Sequence, residues 1–261
     1  MSRFKRFPGA LPSLLPCFAA LLAFPAAADD TQSSANGPID RHALVTRHNI
    51  EWNELTGQIP LGNGEFCFNV DATGLQTFGG NTMSHWAWHS FPLPEGWTPD
   101  QVPPTGTFQQ GRNAGPDDFP KDAEALRVWL FDNPHAMNLA RFRLCGADGA
   151  ELHAGDISSV SRTMDLWSGV QTSTYQIDGK PVRVETCVHP ILDAVAVRIE
   201  SPLVENGGLK VALDFPYPSL QNDAWIGDFT RIDGHRTEMT MAGERRAVLL
   251  RHVDETTYHI A

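Results

Sequence analysis

The chain has 261 residues, 41% hydrophobic, 20% charged and 9% aromatic, a composition that excludes a disordered or collagen-like protein and fits one large domain or two small ones. Its 20 basic and 31 acidic residues give a net charge of −11. Past Arg3-Phe4-Lys5-Arg6-Phe7, no Lys/Arg cluster is interleaved with aromatics, so nucleic acid is a poor partner, whereas a neutral ligand such as a sugar is unaffected by the charge. With 22 Gly and 19 Pro the chain favours turns and short elements over long helices.

In chain order, Arg3, Lys5 and Arg6 precede an apolar run from Leu14 to Phe24, and Ala26, Ala27 and Ala28 then supply a small-residue cleavage site. Residues 1–28 therefore read as a secretory signal, and a secreted or periplasmic protein is expected. Pro16 and Pro25 interrupt a run too short to cross roughly 30 Å of hydrocarbon as a helix, so no membrane partner is expected. Residues 29–38 are small and polar, a linker to a β-sandwich domain over 39–261. Removal of the signal, which holds Cys17, would leave Cys67, Cys145 and Cys187, an odd number with no zinc spacing that read as small core residues.

Phe66, Phe68 and Val70 alternate with polar neighbours, which predicts a strand with one buried face. Gly74–Phe78, after the turn residues Asp71–Gly74, reads as its hairpin partner. Residues 91–120 hold seven prolines and predict a long loop without regular structure. One short helix is expected over Asp122–Phe131, where Ala125, Leu126, Trp129 and Leu130 fall at helical spacing before Asn133-Pro134. Strands then recur at Leu139–Cys145, Val160–Leu166, Val170–Ile177, Pro181–His189, Ala194–Glu200, Leu209–Phe215, Arg231–Met241, Arg246–Val253 and Thr256–Ile260. Asp178-Gly179 is the strongest hairpin signal among them, and short strands at this spacing point to an all-β, antiparallel sandwich or barrel. The strand pattern at Thr256–Ile260 runs to the final residue without a closing turn, so the domain is expected to belong to a longer polypeptide.

Two clusters carry possible chemistry. Leu61-Gly62-Asn63-Gly64-Glu65 is a tight turn before a strand that either serves backbone geometry alone or also presents Asn63 or Glu65 to a ligand. It matches neither a P-loop nor a dinucleotide fingerprint, and no cofactor is expected. In His85-Trp86-Ala87-Trp88-His89, strand geometry would put His85, Ala87 and His89 on one face and Trp86 and Trp88 on the other. The tryptophans read either as core or as a platform on which a pyranose stacks, with His89 donating to hydroxyls. No third ligand accompanies the two histidines, so no metal is expected, and no catalytic residue is identifiable from local motifs.

Arg47-His48-Asn49, Pro60-Leu61-Gly62-Asn63-Gly64-Glu65-Phe66, Thr73-Gly74-Leu75-Gln76-Thr77-Phe78 and Trp86-Ala87-Trp88-His89-Ser90-Phe91-Pro92 together resemble the start of secreted bacterial six-hairpin glycosidases, related to glycoside hydrolase families 65 and 95. Trp129-Leu130, Asn133-Pro134-His135, Asn138-Leu139, Asp165-Leu166-Trp167-Ser168-Gly169 and Phe215-Pro216-Tyr217-Pro218 extend the resemblance from about residue 45 to the end. It implies an N-terminal galactose mutarotase-like β-supersandwich that packs on an (α/α)6 barrel carrying the general acid. Nothing resembling that barrel is in this sequence, so the chain alone is expected to be inactive and to assist by binding carbohydrate and packing on the barrel. Asn63, Glu65, Trp86, Trp88 and His89 are the candidate substrate-binding residues. The alternatives are a self-sufficient carbohydrate-binding protein and a small mutarotase- or epimerase-like enzyme using a His and a carboxylate.

Overall fold

The structure is a computed structural model that describes residues 38–101, 123–220 and 227–261. The expected signal, nearly all of the linker and most of the proline-rich stretch lie outside the described residues. The unit from Asp40 onward is mostly antiparallel sheet with a few short helices, an all-β, sandwich-like architecture. Helix α1 (Arg41–Thr46) starts at Asp40, whose carboxylate accepts the Ala43 N–H at 3.0 Å, and leads into β1 (Ile50–Trp52) and β2 (Ile59–Gly62). Next come β3 (Phe66–Val70), β4 (Thr82–Ser84) and β5 (Trp88–His89). Then follow α2 (Glu124–Asp132), β6 (His135–Ala136) and β7 (Arg141–Gly146). The remaining elements are β8 (Ile157–Asp165), β9 (Val170–Ile177), β10 (Lys180–Val188), β11 (Val195–Glu200), α3 (Pro202–Glu205), β12 (Leu209–Asp214), β13 (His235–Met241), β14 (Ala247–Val253) and β15 (Thr256–Ile260).

The core follows from alternation. On β3, Phe66, Phe68 and Val70 are buried; on β9 and β10, Tyr175, Ile177, Val182 and Val184 point inward. The five-stranded sheet β1-β8-β9-β10-β11 thus packs its inner face on the small sheet β2-β3-β4, with Leu144 of β7 and Leu209 of β12 completing the cluster. Outward, Arg183 lies opposite Glu200 and Glu185 opposite Arg198 on β10 and β11, and these four form a charged lattice that keeps the face wet. The hairpin at Asp178-Gly179 is formed as expected: Ile177 pairs with Lys180, and both loop residues have positive φ (+50° and +70°), the two-residue geometry that matches strand twist.

Gly74–Phe78 departs from the expectation: it is not the hairpin partner of β3, which pairs with β2 and β4 instead. The Asp71 carboxylate is buried and gathers the segment around itself. Oδ1 accepts from the Thr73 N–H at 2.8 Å and the Thr73 hydroxyl at 2.6 Å, while Oδ2 accepts from the N–H groups of Phe78 at 2.5 Å and Gly79 at 3.3 Å. A side chain that collects these donors bends the backbone away from any ladder. Gly74 (φ +79°) then passes so close to β10 that an added Cβ would lie 2.8 Å from Val184 Cγ1. The expected helix is present as α2, buried through Leu126. Asn133 ends it by donating Nδ2–H to Trp129 O at 2.7 Å and accepting the Phe91 N–H at 2.7 Å.

A second cluster joins the sheet β13-β14-β15 to the segments around Ala87 and Leu139 through Met137, Tyr217, Val253 and Tyr258. Tyr258 donates its hydroxyl to Leu139 O at 2.7 Å. This seam brings β15 beside the Trp86 turn. Among the described residues no helix is long and apolar enough to cross a membrane, and Cys67, Cys145 and Cys187 are free, Cys145 buried and the others half-buried.

Candidate functional site

The Leu-Gly-Asn-Gly turn is built around Asn63. Its Oδ1 accepts the N–H groups of Glu65 and Phe66 at 3.0 and 2.9 Å, Gly64 supplies a φ of +98°, and a Cβ on Gly62 would stand 2.5 Å from Phe66 O. The other end of the same amide reaches across the molecule, where Nδ2 donates to His189 O and Leu192 O, each at 3.2 Å, in the loop between β10 and β11. His189 Nδ1 accepts the N–H groups of Ile191 and Leu192 and curls that loop further. Asn63 is therefore consumed in holding two loops together. Glu65 stays exposed, with Oε2 3.9 Å from Nδ1 of the equally exposed His85.

The loop that Asn63 holds delivers Asp193, which is exposed, to the tryptophan segment. Asp193 Oδ2 accepts from the Ser84 hydroxyl at 2.6 Å and from Trp86 Nε1–H at 2.7 Å, and Trp88 donates its Nε1–H to His85 O at 2.7 Å. Both indoles are exposed, Trp86 by 43% and Trp88 by 52%, so neither is core. Trp86 borders a cavity of about 320 Å³ with Asp193, Phe66, Phe142, Tyr258 and His259 around it, and its ring lies 6.1 Å from that of Tyr258. A hollow of about 520 Å³ between β9, β10 and α3 has no comparable platform: its aromatic lining residue, Tyr175, is buried and gives its hydroxyl to Thr73 O.

The predicted shared face of His85, Ala87 and His89 is corrected by the structure. The chain turns at His85-Trp86, so the segment is no continuous strand; His85 faces solvent while Ala87 and His89 are buried. His89, placed among the sugar-binding candidates, is 1% exposed and both its ring nitrogens are engaged. Nε2 lies 2.9 Å from Asp254 Oδ2 and Nδ1 lies 3.3 Å from His135 Nε2. Tyr217 gives its hydroxyl to the same Asp254 oxygen at 2.7 Å, and His135 Nδ1 lies 3.0 Å from Asp132 O. Burial pushes both imidazoles below the ordinary histidine range, against the pull of the Asp254 carboxylate on His89 and of Asp132 O on His135. Burial and the Asp254 carboxylate push the Tyr217 phenol up to about 12. With Nδ1–H of His135 on Asp132 O and Nε2–H of His89 on Asp254, neutral rings leave two lone pairs facing each other, in keeping with 3.3 Å as the longest contact of the chain. The cluster clasps the β14–β15 turn to β5 and β6, and both nitrogens of the buried His89 ring are turned inward within it.

Comparison with known proteins finds no family model and no curated protein that matches the chain. Among the described residues no group of three or more His, Cys, Asp or Glu side chains could hold a metal ion. Of the sequence candidates, Trp86 borders the cavity, Trp88 is exposed two residues on, Glu65 lies on the neighbouring turn, and Asn63 and His89 are structural. Asp193 and Tyr258 were missed because each reaches Trp86 from far along the chain, Asp193 from the β10–β11 loop and Tyr258 from the middle of β15. The signal at Asp193 was a carboxylate directly after the exposed apolar pair Ile191-Leu192 in a hairpin loop.

Proposed function

We propose that this chain is the carbohydrate-binding and packing β-sandwich, of galactose mutarotase-like kind, of an exported glycoside hydrolase whose catalytic helical barrel is a separate part. The observation that carries the reading is the pair of exposed indoles whose N–H groups are already spent on Asp193 and His85 O. Rings fixed in this way lose little freedom on binding and present an apolar face to the C–H side of a pyranose. A cavity of about 320 Å³ is of the size that takes one sugar unit of a longer glycan. The export signal at residues 1–28 and the family resemblance support the same reading. The mutarotase-like alternative draws on the exposed His85–Glu65 pair at 3.9 Å as an acid and a base.

Calorimetric titration of the chain with a panel of oligosaccharides tests the proposal. Trp86→Ala and Trp88→Ala are expected to weaken binding by about 1–3 kcal/mol while leaving the thermal midpoint nearly unchanged. Unchanged binding with a large loss of stability would reject the site. Polarimetric assay of anomer interconversion, with Glu65→Gln as control, tests the alternative.

A further inference from the structure

We propose that the Trp86 cavity selects uncharged sugars over uronic or sulfated ones, and that Asp193 is the specificity-determining residue. The inference rests on the carbohydrate reading above and deepens it. Among the described residues no Lys or Arg borders the cavity, so nothing there would neutralise a ligand carboxylate or sulfate. The carboxylate that does border it is fixed on one side only: Oδ2 is taken by Trp86 Nε1–H and the Ser84 hydroxyl, and no described residue donates to Oδ1. A carboxylate oxygen can only accept, and sugar hydroxyls are donors, so Oδ1 is a ready partner for a ring hydroxyl next to the stacked face. The same oxygen repels a ligand anion at short range. Because Trp86 holds Asp193 in place, the group that stacks and the group that selects move as one unit. Tyr258 cannot soften the site as a donor, since its hydroxyl is given to Leu139 O. The exposed imidazole of His259 and the last residue of the sequence, Ala261, also line the cavity.

The experiment titrates the chain in parallel with neutral oligosaccharides (gluco-, xylo-, manno- and galacto-series) and with size-matched oligogalacturonates and sulfated galactans, then repeats it with Asp193→Asn and Trp86→Phe. Neutral glycans are expected to bind at least tenfold more tightly than acidic ones. Asp193→Asn is expected to weaken neutral binding and to narrow that gap, because an amide still hydrogen-bonds but no longer repels an anion. Equal or tighter binding of the acidic series overturns the selection while leaving the carbohydrate reading intact. A gap unchanged in Asp193→Asn overturns the role of Asp193. Binding of neither series rejects the carbohydrate reading and this inference with it. Where Asp193→Asn fails to fold, the comparison of the two glycan series on the unaltered chain still decides the selection.

Discussion

His89 looked like a group for sugar hydroxyls and is instead the centre of a buried clasp, and this change of role has a measurable consequence. Its imidazole and that of His135 are held below their ordinary titration range by burial, so the folded state binds fewer protons than the unfolded chain does as pH falls. The resulting stability is fully present above the unfolded histidine value of about 6.5 and is lost as pH drops below it. Chemical denaturation between pH 7.5 and pH 5 should therefore show falling stability in this window. His135→Gln, whose amide N–H would face His89 Nδ1 in place of a lone pair, should flatten part of the slope. An unchanged slope in the variant would show that the two rings do not set it. Trp86 and Trp88 make the opposite case: their types alone left both core and platform open, and only the 43% and 52% exposures settle that they lie at the surface.

At the scale of elements, turns with the same residue type differ in what they demand. Gly179 (φ +70°) has open space where a Cβ would stand, whereas Gly74 (φ +79°) would drive one into Val184. Gly179→Ala should cost about 1–2 kcal/mol, from the left-handed backbone alone. Gly74→Ala carries that penalty plus an overpacking cost of about 1–3 kcal/mol. Urea unfolding of the two variants checks the ranking, and a Gly74→Ala no worse than Gly179→Ala would contradict the close approach. Strands from β7 onward were legible to within a few residues, because each is long enough to show period two and is closed by a turn. β1, β2 and β4 were not: they span three or four residues, too few to show a period, and β1 is held by a distant partner, Ile50 lying opposite Met164. Arg162 helps by stacking over Trp52 at 4.2 Å and donating to Thr56 O and Gly57 O, a contact that no local pattern announces.

For the whole molecule, the loop Asn63 holds exposes Ile191 by 78% and Leu192 by 59% beside Trp86. An apolar surface of this kind suits burial against another domain. On the function proposed above, purified residues 29–261 should self-associate in light scattering and should not hydrolyse aryl glycosides, since glycoside cleavage needs two groups set across the bond and that proposal puts the general acid in a separate barrel. Turnover well above background by a monodisperse monomer would overturn that reading. The expected export signal predicts a mature N-terminus at Asp29, which N-terminal sequencing of secreted protein reads directly; Met1 retained on exported material would refute it.

By itself the sequence determined what depends on neighbours in the chain: the β-rich class, the buried face of β3, the Asp178-Gly179 hairpin and the α2 helix with its stop at Asn133. These follow from side-chain period and turn chemistry, which act over a few residues. The tertiary structure alone decided which polar groups meet. Asp193 reaches Trp86 across 107 residues and Asp254 reaches His89 across 165, and the acid at Asp71 turns an expected strand into a loop. Such contacts depend on how sheets pack and which loops converge, so residue type could nominate Trp86 and His89 together, and only the fold could set one at the surface against the Asp193 carboxylate and the other in the interior with its nitrogens turned inward.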